Sequence, residues 1–360
     1  MTKDSKMLRI SVAALSLAML VACGQPASET PATEAAAADD ASGNGQVLNI
    51  YSARHYDSDK EIYAKFEADT GIKVNVRESG APELLETMKA EGAQSPADLV
   101  IVSDAGALFR FQIEGLTQGV QSDVLDAAIP EQLREKDGHW FGLAKRARVI
   151  VYDPQLLPLE EVDTYADLAD DRLKGELCVR SSTNVYNLSL LGEIIGRIGS
   201  TAAEEWAKGV ASNFARPPEG GDTAQIQAVA AGQCAVAVVN HYYWVRLAEG
   251  TTEERLAAAK TLISFPDQAG TGTHVNITGA AVTSTSKSPE LAIQFIEFLA
   301  SPEGQEMLTM ETKEFPIVAG VPLPAGLEKL PEFKQSDYPL SELGAYQPEA
   351  QSIFDRAGWN

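Results

Sequence analysis

The 360-residue chain carries a formal charge of −22, with 44% hydrophobic, 7% aromatic and 22% charged residues. This balance is that of a globular protein long enough for about two domains. The acidity argues against nucleic acid, since an acidic surface repels phosphate and gains nothing from counterion release, and it favours a soluble monomer. No apolar run approaches the roughly 20 residues of a membrane span, which excludes a polytopic membrane protein.

Residues 1–22 read as a secretory signal. Lys3, Lys6 and Arg9 form a basic n-region, and Ile10 to Met19 form an apolar stretch too short to span a bilayer. The run Leu20, Val21, Ala22, Cys23, Gly24 places small residues before a cysteine where cleavage should fall. It resembles a bacterial lipobox, which implies acylation of Cys23 and cleavage before it. Two acyl chains give a stable anchor where one is marginal. Residues 23–46 are rich in Ala, Pro, Ser, Thr, Glu and Asp and nearly free of large apolar side chains. Such a segment cannot bury enough surface to offset its ordering entropy, so it reads as a flexible acidic tether.

From residue 47 the pattern alternates strand and helix. Val47 to Tyr51 is a short strand. Ser58 to Thr70 carries Ile62, Tyr63 and Phe66 at helical spacing, with Gly71 as a stop. Ile72, Val74 and Val76 alternate as a strand, and Pro82 to Glu91 is a helix with Pro near its start. Ala97 to Val102 is a buried strand, after which Asp104 caps a helix running to Ile113. This order predicts a mostly parallel sheet with helices on both faces.

A second α/β unit follows. Its strands are Arg148 to Tyr152, Glu176 to Arg180 and Ala235 to Val239, with helices from about Tyr186 to Ile198 and through Arg246. His274 to Val282 is extended again, Pro289 to Leu299 is an apolar helix, and a last short helix lies near Glu349 to Asp355. Lys145–Tyr152 and Gly272–Ala281 are the candidate crossings between two discontinuous lobes, and ligands bind at such interfaces. Cys178 and Cys234 have no CxxC spacing. Downstream of a secretory signal they are expected to pair as a disulfide rather than to bind zinc.

Conventional catalytic motifs are missing: there is no G-x-S-x-G, H-E-x-x-H, P-loop or G-x-G-x-x-G. The signal lies in the strand-to-helix turns. Arg54, His55 and Tyr56 follow the first strand. Asn184 and Tyr186 follow the Cys178 strand, and Asn240 to Trp244 follow the Val236 strand. In open α/β sheets, ligands bind beyond the carboxyl ends of strands. Four phenols, Tyr56, Tyr186, Tyr242 and Tyr243, are thus expected where a ligand sits. Phenolate is a hard oxygen donor suited to a hard trivalent cation, which supplies the charge that deprotonates a group normally titrating near 10. Taken singly, each Tyr has a plainer reading, as a staple, a stacking residue or helix packing. Tyr51, Tyr63 and Tyr152 read as core. His55 is a candidate fifth ligand or a hydrogen-bonding group; His241 reads as a helix-start residue pointing elsewhere, and His139 and His274 as ordinary structural histidines. Lys145, Arg146 and Arg148 form a basic cluster, with Arg146 and Arg148 on one strand face. Either they are solvated or ion-paired, or Arg146 faces the ligand. Arg246 is placed to do the same from a helix.

The segments YSARHYDSD, SPADLVIVSD, WFGLAKRARVIVYD, CVRSSTNVYNLSL, NHYYW and GTHVNITGAAV resemble the periplasmic ferric-iron-binding proteins of bacterial ABC uptake systems, over nearly all the chain from residue 47. The resemblance implies a two-lobed type II periplasmic binding protein with a cleft between α/β lobes, here 47–146 with 275–320 and 147–274 with 321–360. It implies ferric iron held by Tyr56, Tyr186, Tyr242 and Tyr243, with His55 at a position where members differ, and Arg146 and Arg246 beside the site. It implies delivery to an inner-membrane ABC permease and leaves open whether a synergistic, carbonate-like anion completes the shell. The lipobox and tether depart from the many members that are free in the periplasm. The competing readings are a binding protein for another small anionic or organic solute, and an enzyme reusing the fold.

Overall fold

A computed structural model of the protein describes residues 45–54 and 56–359. The signal-like segment, Cys23, nearly all of the tether and His55 lie outside the described residues. Among the described residues, nine strands form one sheet: β1 Val47–Ser52, β2 Lys73–Glu78, β3 Leu99–Val102, β4 Phe141–Tyr152, β5 Leu177–Cys178, β6 Val236–Asn240, β7 Leu262–Ser264, β8 Val275–Val282 and β9 Phe315–Pro316. The helices are α1 Asp57–Thr70, α2 Ala81–Glu91, α3 Ala105–Ile113, α4 Asp123–Ala128, α5 Val185–Ile198 and α6 Ser200–Ser212. They continue with α7 Asp222–Ala230, α8 His241–Glu249, α9 Thr252–Ala259, α10 Pro289–Leu299, α11 Pro302–Met310 and α12 Leu343–Ala357.

The strand order is β2-β1-β3-β8-β4-β6-β5, with β7 and β9 paired to β4. The expected parallel pairing holds for β1 with β2 and β3, and for β5 with β6. The two strands that the sequence marks as crossings run antiparallel to their neighbours, which makes the sheet mixed. Strand β4 is the spine. Its first half pairs with β8 (Phe141↔Ala280 to Ala147↔Val275) and its second half with β6 (Arg148↔Asn240 to Tyr152↔Val236). The strand expected over Glu176–Arg180 is only Leu177–Cys178, and the last helix is twice the length read from the sequence, with Pro348 inside it.

Apolar burial gathers in separate clusters. One contains β1, β3, the first part of β4 and helices α1 to α3 and α10, through Leu48, Phe66, Leu99, Phe111, Phe141 and Phe295. Others lie around the second half of β4, β5 and β6, through Ile150, Leu191, Trp206, Val236 and Phe354 on one face and Val149, Val151, Ile226 and Val239 on the other. Helix α12 joins both sides: Leu343 packs into the first cluster, Ile353 and Phe354 into the second. Cys178 and Cys234 are bonded, with Cα atoms 5.9 Å apart, beside the parallel β5–β6 pair. None of the helices among the described residues is long and apolar enough to cross a membrane.

Candidate functional site

Each of the four phenols sits where a strand gives way to a helix. Tyr56 precedes α1, and the Asp59 carboxylate accepts its backbone N–H at 3.3 Å, fixing the turn. Tyr186 is in the first turn of α5, which the Asn184 side chain caps by accepting the Tyr186 N–H at 3.0 Å. Tyr242 and Tyr243 open α8 directly after extended Asn240. The Tyr242 hydroxyl donates to that of Tyr186 at 3.2 Å and accepts from Asn240 Nδ2 at 3.3 Å. The rings of Tyr242 and Tyr243 lie 4.4 Å apart between centroids.

Arginines surround this cluster. Arg246, one turn along α8, lies over Tyr56, Tyr242 and Tyr243 at 5.2, 4.9 and 5.7 Å. It therefore joins the phenol of the first turn to the pair on α8. Arg146, Arg148 and Arg180 lie over the Tyr186 ring at 5.2, 5.7 and 5.3 Å, and Arg54 lies 5.1 Å from the Tyr56 ring centre. The basic cluster on β4 is therefore not a solvated face: Arg146 and Arg148 are each 2% exposed. A quadrupole attracts a cation over its ring, and a guanidinium beside a phenol favours the phenolate when it forms.

Carboxylates compensate these charges. Asp59 holds Arg54 at 2.8 Å, and Asp222 holds Arg148 at 2.6 Å and Arg180 at 3.2 Å. Glu314 holds Arg54 at 3.4 Å and Arg146 at 3.2 Å. The sequence marks Arg54 only as part of the first turn and carries no site expectation for Asp59, Arg180, Asp222 or Glu314. The one signal for them is local: Arg54 and Asp59 flank Tyr56, and Arg180 precedes Tyr186 by six residues.

Burial pushes the phenols of Tyr56, Tyr242 and Tyr243 above their ordinary value, and the Glu314 carboxylate pushes Tyr56 further. Burial thus favours the neutral phenols, and a ligand that takes them as phenolates must supply the charge that drives off their protons. Among the described residues, no three His, Cys, Asp or Glu side chains gather in a metal-holding group. A cavity of about 440 Å³ opens beside Tyr56, Tyr186 and Tyr243, with Arg54, Arg180 and Gln347 on its wall.

The remaining candidates separate from this centre. His241 is buried and its pKa is lowered to about 3 by burial. The Ala147 N–H can only donate, so Nδ1 accepts at 3.2 Å; the ring proton is then on Nε2, which donates to the Lys313 carbonyl at 3.1 Å. Both ring nitrogens are thereby used by backbone. His274 pairs with Glu193 at 2.6 Å, and His139 with Thr117 at 2.9 Å. Tyr152 and Tyr51 are core residues at 5% and 4% exposure, while Tyr63 is partly buried against the first core.

The sequence profile of bacterial extracellular solute-binding proteins matches residues 61–335, and the chain belongs to that family. Its fold is that of the type II periplasmic binding proteins. It is 44% identical over 346 residues to iron uptake protein A1 of Synechocystis sp., covering 95% of this chain and 93% of that protein. The solved structure of Trichodesmium FutA (IdiA) in complex with iron and citrate ligands superposes with a TM-score of 0.83 at 44% identity, over 87% of this chain and all of that one. The ferric binding protein from Campylobacter jejuni gives 0.83 at 41% identity, again over 87% of this chain and all of that one.

Proposed function

We propose that this chain is the substrate-binding component of an ABC transporter that captures ferric iron and hands it to an inner-membrane permease. The observation that carries this is the convergence of Tyr56, Tyr186, Tyr242 and Tyr243 inside a collar of arginines whose neighbouring carboxylates are taken up in ion pairs, with no metal-holding group of three His, Cys, Asp or Glu among the described residues. Hard phenolate oxygens match a trivalent ion, whereas Ca²⁺ or Mg²⁺ calls for carboxylates and soft metals for thiolates. The four tyrosines are the ligands, and His55 is the candidate for a further one. Arg146 and Arg246 offset phenolate charge, and a synergistic anion fits the cavity beside Arg180. The relatives named for iron uptake and ferric binding support the cargo.

In this reading Tyr56 belongs to a lobe formed by 47–146 and 275–320, and the other three phenols to a lobe formed by 147–274 and 321–360. Closure completes the shell; opening against the permease parts Tyr56 from its partners and releases the ion. The protein works as a periplasmic monomer tethered through lipid at Cys23 and has no catalytic role. A Cys23→Ser variant is expected to lose lipid label and leave the membrane fraction.

Competition with citrate for ferric ion tests the site. Tyr186→Phe, Tyr242→Phe and Tyr243→Phe keep the rings and remove the donors, so each is expected to weaken binding more than tenfold, while Tyr152→Phe leaves it unchanged. Wild-type affinity in all three site variants would replace iron with a small anionic solute as the cargo.

A further inference from the structure

Four consecutive residues far from the tyrosines in sequence touch three of the five arginines around them, Arg54, Arg146 and Arg246. The Thr312 carbonyl accepts from Arg246 Nε at 3.1 Å and Nη2 at 2.7 Å. The Lys313 carbonyl accepts from His241, and the Lys313 ammonium pairs with Glu249 of α8 at 2.8 Å. The Glu314 carboxylate bridges Arg54 and Arg146, and Thr278 Oγ1 donates to it at 2.9 Å. Phe315 stacks on His241 with centroids 4.3 Å apart. Lys313 adopts φ 59°, in the left-handed region. A non-glycine residue is held there only when its surroundings over-determine it. That turn lets successive residues present a carbonyl, a second carbonyl and a carboxylate to different partners.

We propose that Glu314 is a positioning residue for iron capture: it holds the guanidinium groups of Arg54 and Arg146 against the rings of Tyr56 and Tyr186, on the two sides of the site at once. The geometry is closed. Arg146 is tied at its other positions to the Ser103 and Ile277 carbonyls, with Ile277 at 3.1 Å, and Arg54 is tied to Asp59. Glu314 is 3% exposed and, among the described residues, is the one carboxylate paired with both of these arginines. Its removal takes the carboxylate from Arg54 Nη1 and leaves Arg146 Nη1 with Thr278 Oγ1 alone, at 3.3 Å, beside two phenols that come from different elements. This role is separate from ligation, and it rests on the ferric reading proposed above.

The test compares full-length wild type with Glu314→Gln, which keeps the shape and removes the charge, and with Glu193→Gln, which removes a buried carboxylate remote from the phenols. Each is loaded with one equivalent of ferric ion. The position of the visible phenolate-to-iron band and the rate of iron loss to excess citrate are then recorded. The expected result is a displaced band and at least tenfold faster loss for Glu314→Gln, with neither change for Glu193→Gln. Glu314→Asp, which keeps the charge and draws it back from the two arginines, serves if Glu314→Gln does not fold; it is expected to move both readouts the same way by a smaller factor. An unmoved band and rate in the folded variants, or equal changes in Glu193→Gln, would overturn the assignment to Glu314 while leaving the iron site intact. A wild type without any visible band would remove the ferric reading and this role with it.

Discussion

Tyr242 and Tyr243 are sequence neighbours, which in a strand would face opposite ways. They cooperate because extended Asn240, at φ −81° and ψ 140°, ends β6 and the helix begins on His241, so both rings emerge from one first turn beneath Arg246. Tyr242→Phe loses one weak hydrogen-bond pair, so thermal or chemical unfolding is expected to register about 1 kcal/mol or less, far below the loss in ferric affinity. Glu193 shows the opposite profile, mattering to stability alone. Burial by itself would raise its pKa, but hydrogen bonds from His274, Ser336 and Arg197 outweigh that and hold the carboxyl below its ordinary range. The stabilisation is therefore present above the unfolded value, near 4.3, and is lost as pH falls through the lower folded value. Glu193→Gln is expected to cost about 1–3 kcal/mol at pH 7 in urea unfolding, and the gap from wild type should narrow below about pH 4. The tyrosines were legible in the sequence because each of the three turns that carry them follows a strand run by a few residues. Glu314 was not: its partners Arg54 and Arg146 lie 260 and 168 positions away, and no local pattern encodes such pairing.

Strand β4 explains why the sequence suggested two strand-and-helix units and the fold delivers one mixed sheet. Its twelve residues are buried throughout apart from Lys145, so the run carries no alternation from which to read partner or direction. Pro348 interrupts the helical pattern of α12 in the sequence, yet the helix's first residues are held by packing on α3. There Gly344 approaches the Gly106 carbonyl so closely that an added Cβ would lie 2.6 Å from that oxygen and 2.6 Å from the Phe109 ring. Gly344→Ala is expected to destabilise the fold by about 1–3 kcal/mol through overpacking, measured as a lowered denaturation midpoint. Beside the β5–β6 pair lies the bond between Cys178 and Cys234, residues 56 positions apart. On the chain-entropy account this constrains the unfolded state by about 4 kcal/mol, so Cys178→Ala with Cys234→Ala should lower stability by a sizeable part of that amount. Non-reducing peptide mapping should recover the linked pair; free thiols at both positions would remove this contribution.

Across the molecule, Tyr56 extends from elements of the first apolar core, while Tyr186, Tyr242 and Tyr243 extend from elements packed on the others. Asp104 links the same regions, accepting from Ser189 of α5 at 2.6 Å, Asn276 of β8 at 2.7 Å and Gln347 of α12 at 2.9 Å. An ion bound by all four phenols would add a second link, one that exists only in the folded chain. At a thousandfold excess over its dissociation constant, such a ligand stabilises by about 4 kcal/mol. Ferric citrate is therefore expected to raise the melting temperature of wild type by several degrees and that of Tyr56→Phe by much less. The two-sided arrangement was legible from the sequence only as two strand runs that cross and return. Which carboxylates and carbonyls close the site depended on contacts formed after those runs meet. The most direct measurement is the visible absorption spectrum of the purified protein during titration with ferric citrate. Phenolate ligation predicts a new band that grows linearly and stops at one equivalent of iron, and that is diminished in Tyr186→Phe, Tyr242→Phe and Tyr243→Phe. A protein that stays colourless through the titration, or a band untouched by all three substitutions, would contradict iron capture by these tyrosines.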